Sequence, residues 1–126
     1  ASMARGRGGA VADFNRDGWL DVAVVNRRAP IEVYQNAGGD AQWLSVELRQ
    51  DAPNTRAVGA FIEVQTSERT QVREITVGGG HAGGQAVPAH FGLGLEDRIR
   101  LRVIWPDGTF GAWQEVDAGQ ILTLQR

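Results

Sequence analysis

The stretch RIRLRVIWPDGT, residues 98–109, decides the fold class. Ile99, Leu101, Val103 and Trp105 take every second position, and Arg98, Arg100 and Arg102 fill the gaps. Successive side chains of a β-strand point to opposite faces, so a period of two describes a half-buried strand. Pro106 presets φ for the second position of a turn, and Gly108 tolerates the exit geometry. The strand therefore ends at WPDGT and the chain reverses.

Working outward from this strand, the same period recurs. In WLSVELR, residues 43–49, Leu44, Val46 and Leu48 point inward and Ser45, Glu47 and Arg49 outward. GAFIEVQT places Ala60, Ile62 and Val64 on one face. In QVREITV, Ile75 and Val77 share one parity and Val72 has the other, a slip that predicts a bulge near Arg73 and Glu74. FGAWQEV and QILTLQR finish the sheet. Nearer the N-terminus, Leu20, Val22 and Val24 mark a strand, PIEVYQN a second short one, and NAGGD a turn or linker. Helical periodicity is missing. Many short strands separated by turn signals predict an all-β protein, an antiparallel β-sandwich or barrel with an N-terminal β-hairpin.

The totals exclude several function classes. The chain has 126 residues, enough for one domain or one with an appendage. Its net charge of -2 gives no electrostatic case for nucleic acid or an anionic membrane. All 13 basic residues are Arg, which removes Schiff-base chemistry and the P-loop lysine. Cysteine is absent, so thiol catalysis, disulfides and Cys-based zinc sites are excluded. No apolar run approaches the ~18 residues of a membrane span, so membrane insertion is not expected. Residues 1–8 read as a tag or flexible lead-in, and a leader or larger N-terminal region is expected to precede them.

DFNRDGWLD, residues 13–21, carries the chemistry near the N-terminus. Like charges this close repel unless a cation sits between them. A curled loop can turn alternate side chains to one centre. Oxygens at loop positions 1, 3 and 5 suit Ca²⁺, and these are Asp13, Asn15 and Asp17. Position 7, Trp19, offers its backbone carbonyl, and Asp21 supplies position 9 directly or through water. Gly18 permits the sharp bend. An EF-hand needs a Glu at position 12, where this chain has Val24, and LDVAVVN reads as a strand. The alternative is an Asp/Asn-rich turn that caps its own backbone without metal.

GGAVADFNRDGWLDVAVVNRRAPIEVYQNAGG resembles one FG-GAP/VCBS-type repeat, the calcium-carrying blade unit of integrin-like propellers. QWLSVELRQ, NTRAVGAFIEVQTSERTQVREITVGGG, HFGLG, LRVIWPDGT and VDAGQILTL resemble the ASPIC/UnbV domain, which follows such repeats in secreted proteins. The resemblance implies a calcium hairpin over 9–38, a partial propeller blade, and an ASPIC/UnbV-like β domain over 39–126. It implies calcium ligation by Asp13, Asn15, Asp17, the Trp19 carbonyl and Asp21. GGGHAGGQAVP departs from the aromatic and polar segment usual in the family after its fourth strand. A two-stranded hairpin is marginal alone, so further blades or a packing partner are expected.

Other signals are weaker. VGGGHAGGQ lacks the Lys-Ser/Thr of a phosphate cradle and reads as a loop. His81 and His90 could form an acid/base or metal pair, although a packed histidine is commoner. Arg98, Arg100 and Arg102 make a basic stripe that could grip an anionic glycan or acidic protein; a solvated face with cross-strand Glu partners is the plainer account. Trp43, Trp105 and Trp113 are core residues or, if exposed in a row, a sugar-stacking platform. The resulting expectation is a secreted or periplasmic, monomeric, non-enzymatic, calcium-binding recognition or adhesion module for a protein or glycan. The alternatives are a carbohydrate-binding module, a structural end-cap of a longer propeller, and a hydrolase using His81 or His90.

Overall fold

The computed structural model describes residues 5–79, 84 and 88–126. The chain divides into two compact units: Ala1–Gly39 with Val77–Ala86, and Asp40–Thr76 with Val87–Arg126. Among the described residues, no helix is long and apolar enough to cross a membrane.

In the first unit, β1 (Gly6–Ala12), β2 (Asp21–Asn26) and β3 (Glu32–Tyr34) form an antiparallel sheet in that order. Val11 stands opposite Val22, and Ala23 opposite Val33. The sheet thus has three strands where sequence predicts two, and β1 begins at Gly6, inside the stretch taken as a flexible lead-in. GRGGAVA is too poor in large apolar residues to show a period, and the ladder with β2 orders it. The acidic stretch is the connection between β1 and β2. Gly78 and Gly84 form an isolated antiparallel bridge.

The second unit is a sandwich of two open sheets. One has the order β10-β4-β7, from β4 (Gln42–Arg49), β7 (Ala89–Gly94) and β10 (Gln120–Gln125). The other has the order β6-β5-β8-β9, from β5 (Phe61–Gln65), β6 (Thr70–Glu74), β8 (Arg98–Ile104) and β9 (Gln114–Asp117). The inward residues of both sheets meet in one core: Leu44, Val46 and Phe91 from the first, Ile62, Val64 and Leu101 from the second, all fully buried. Each such burial contributes about 1.5–3 kcal/mol. The inward positions read from β4, β5 and β8 are the observed ones.

Two expectations fail here. The bulge near Arg73 and Glu74 is absent, because β6 pairs with β5 in unbroken register from Thr70 to Glu74. As an edge strand, β6 turns long polar side chains inward over the rim of the core. The Arg73 guanidinium lies 5.8 Å from the Phe91 ring centroid, and the Gln71 amide donates to the Gly92 carbonyl at 2.8 Å. The second failure is QILTLQR, which does not extend the sheet of its neighbour β9. The chain crosses at Ala118-Gly119 to the other sheet, and β10 runs parallel to β4, with Gln120 opposite Leu44. Gly119 makes the corner with φ 72°, and its N–H donates to the Trp43 carbonyl at 2.7 Å.

The WPDGT turn forms as read. The Gly108 N–H donates to the Trp105 carbonyl at 2.8 Å, and the Trp105 N–H to the Thr109 carbonyl at 2.9 Å. Asp107 caps the turn by accepting the Thr109 N–H at 3.0 Å.

Candidate functional site

In the acidic loop, Asp13 accepts two backbone N–H groups, that of Asp17 on Oδ1 at 3.0 Å and that of Gly18 on Oδ2 at 2.8 Å. The Asp17 N–H also reaches Asn15 Oδ1 at 3.2 Å. Asp17 accepts the Trp19 N–H on Oδ1 at 2.8 Å and the Asn15 side-chain amide on Oδ2 at 2.7 Å. Arg16 and Gly18 take left-handed conformations, φ 63° and 91°, which give the curl its tightness. Asp13, Asn15 and Asp17 are therefore together.

Asp21 is placed differently. Its side chain is buried and reaches out of the curl: like Asp13 it accepts two backbone N–H groups, but one is distant in sequence, Oδ2 taking the Phe14 N–H at 3.1 Å and Oδ1 the Asn36 N–H at 2.8 Å. It ties the loop to the end of β3. Among the described residues, no three His, Cys, Asp or Glu side chains are grouped to hold a metal ion. The residue types are oxygen donors of the kind a hard cation takes, and here the Asp13 and Asn15 oxygens both accept the Asp17 N–H.

Trp19 has a mechanical part. Its indole lies along the backbone of Gly38 and Gly39, where a Cβ at Gly39 would come within 3.1 Å of Cη2. The glycines of NAGGD thus seat the Trp19 indole.

The outward face of the four-stranded sheet is the second candidate. Arg98 pairs across the strand with Asp117 at 2.8 Å and with Glu115 at 3.8 Å, and Arg102 pairs with Glu63 from β5. The predicted cross-strand partners exist for these two. Arg100 differs: among the described residues no carboxylate lies within ion-pair distance of it. It lies over Trp113 instead, 5.3 Å from the ring centroid. Arg102 lies over the same ring at 4.6 Å and over Phe110 at 5.1 Å. A guanidinium over an aromatic face is held by the ring quadrupole and keeps its N–H edge free. Phe110 is 62% exposed, and Val72 and Phe61 add apolar area to the same face. Periodicity shows the stripe, but the pairing depends on the register with β5 and β9, which no local pattern encodes.

His90 forms a hydrogen bond with Ser45 across the β4–β7 ladder, Oγ to Nδ1 at 2.9 Å, and stacks on Trp43 with centroids 6.0 Å apart. Ser45, expected outward, does share the outer face with His90 and is buried at 5% there. A hydroxyl so enclosed is poorly placed to meet a substrate. His81 lies outside the described residues, as does most of GGGHAGGQAVP. The three tryptophans of the second unit form no row: Trp105 is buried, Trp43 lies in β4 of one sheet, and Trp113 directly precedes β9 of the other.

Comparison with known proteins now adds its weight. The family model described as ASPIC and UnbV matches residues 50–126, which spans β5 to β10 with HFGLG and WPDGT inside it. This chain belongs to the ASPIC and UnbV family. It is 35% identical over 113 residues to cartilage acidic protein 1 of Homo sapiens, an alignment covering 82% of this chain and 16% of the human protein. The Mus musculus and Xenopus tropicalis proteins of the same name are also 35% identical, with 82% of this chain and 17% of each relative covered. The chain therefore spans about a sixth of the length of these relatives. The family match covers the sandwich from β5 onward, leaves out β4, and begins after the acidic loop.

Proposed function

We propose that this chain is a non-catalytic recognition or adhesion module of an extracellular protein, and that the outward face of the four-stranded sheet is its contact surface. The observation that carries the reading is the Arg100–Trp113–Arg102–Phe110 ladder, a solvent-facing run of residue types that concentrate binding energy at protein interfaces. The name of the relatives, cartilage acidic protein 1, supports an extracellular setting. The FG-GAP/VCBS resemblance of residues 9–38 supports a place beside a propeller.

Calcium is the second part of the proposal. Asp13, Asn15 and Asp17, with the Trp19 carbonyl, would hold the ion, and Asp21 would brace the loop from behind or ligate through water. The sharp bend and the gathering of Asp13, Asn15 and Asp17 in one curl support it. The ion would supply charge neutralisation and a rigid turn.

The test is saturable binding of the labelled chain to extracellular matrix sheets, compared with a W113A/F110A variant of unchanged fold. Binding lost in the variant is expected. Equal binding by the variant refutes the surface, and substrate turnover abolished by H90A refutes the non-catalytic reading.

A further inference from the structure

Resting on that reading of the sheet face, we infer that the ladder takes a protein segment bearing a carboxylate in apolar company, and that Arg100 is the residue that receives the carboxylate.

Arg98 and Arg102 are matched by carboxylates of their own sheet, and Arg100 is not. Its register neighbours are Gln65 on β5 and Glu115 on β9, and the Glu115 carboxylate reaches toward Arg98. Trp113 holds the Arg100 guanidinium by its face, so its forked N–H edge is left for a partner. A planar fork selects a carboxylate through two parallel hydrogen bonds.

The surroundings decide the class of partner. Glu63, Glu74, Glu115 and Asp117 share this face with the three arginines. A polyanionic glycan laid along it would meet more negative charges than positive ones. A protein segment with one carboxylate avoids them. Its flanking aliphatic or aromatic side chains would cover Phe110, 62% exposed, and Val72, 46% exposed. Excluding water around the Arg100 pair would strengthen it.

The experiment is selection of a phage-displayed peptide library on the immobilised chain, with an R100A chain as counter-target and melting curves of both to confirm equal folding. Enriched peptides are expected to carry Asp or Glu between aliphatic or aromatic residues. Synthetic copies should lose about tenfold or more in affinity to R100A and recover only part with R100K, whose ammonium cannot fork. Enriched peptides without an acid, or binding R100A equally, overturn the assigned chemistry while leaving the face a recognition surface. Retention on a heparin column at physiological salt that disappears in R100A overturns it in favour of a polyanion. No enriched peptide and no such retention overturn the recognition reading as well.

Discussion

The Trp19 indole lies on the backbone of Gly39, so close that a methyl group there would fit only if the ring gave way by a few tenths of an ångström. A Cβ at Gly39 would come to 3.1 Å from Cη2, and Gly38 beside it has φ 80°. Glycine serves at 39 for space and at 38 for conformation. The G39A variant should push the indole off its seat, and G38A should cost about 1–2 kcal/mol through a left-handed backbone. Faster hydrogen exchange at the Gly18 and Trp19 amides is the expected sign in both. Unchanged exchange would mean that the indole does not hold the loop.

Calcium should raise the melting temperature of the first unit above its value in excess chelator. At a calcium concentration a hundred times Kd the gain is about 2.7 kcal/mol, because the ion binds only the folded loop. The D17N variant keeps the shape and removes one charge, so it should shrink the gain. Identical melts with calcium and chelator would leave the loop as a self-capped turn.

In the sandwich, Leu101 is fully buried among residues of both sheets. The L101A variant should lose about 2–5 kcal/mol by denaturant titration, the transfer of the side chain plus the cavity it leaves. Replacing the exposed Leu95 with alanine should change little, within about 0.5 kcal/mol. Similar losses at the two positions would contradict the placement of the core.

Ser45 and His90 link the two strands on the outer side of the smaller sheet. Removing the hydroxyl with S45A takes a partner from the half-buried His90 imidazole and should cost about 1 kcal/mol. The readout is chemical denaturation. Unchanged stability would show that the bond is not held in solution.

Asp107 titrates far from its ordinary range. The Arg126 guanidinium donates to it at 2.6 Å, and Thr109 adds its N–H, which together lower its pKa from 3.8 to about 2. A depressed folded pKa means that this contribution to stability is present above pH ~4 and is lost as pH falls toward 2. In R126A the NMR midpoint of Asp107 should climb back toward the ordinary value. A midpoint that stays near 2 would assign the shift to the turn alone.

Whatever repeats every second residue could be read before folding. Leu44, Val46, Ile62, Val64, Leu101 and Val103 show their burial in their spacing alone. Two things were hidden for one reason, namely that they depend on which strands become neighbours. Val72 suggested a slip, yet β6 runs unbroken because an edge strand lets Gln71 and Arg73 cover the core rim. The neighbour of QILTLQR is β4 rather than β9, a choice made at a glycine corner. The candidate sites divide in the same way. The spacing of Asp13, Asn15 and Asp17 brings them together, while the turn of Asp21 toward Asn36 depends on where β3 ends. Nothing in the arginine stripe distinguishes Arg100 from its neighbours until the carboxylates are placed.

The ribosome delivers β4 long before β10, and the two lie side by side. Until Gln120–Gln125 emerges, the nascent sheet has one flank of β4 bare, with Leu44, Val46 and Leu48 lacking the cover of Leu122 and Leu124. Such a half-built edge invites pairing with other chains. Biogenesis of this module is thus a race between completing its own last strand and being captured by a neighbour's, and shielding the emerging segment should govern its yield.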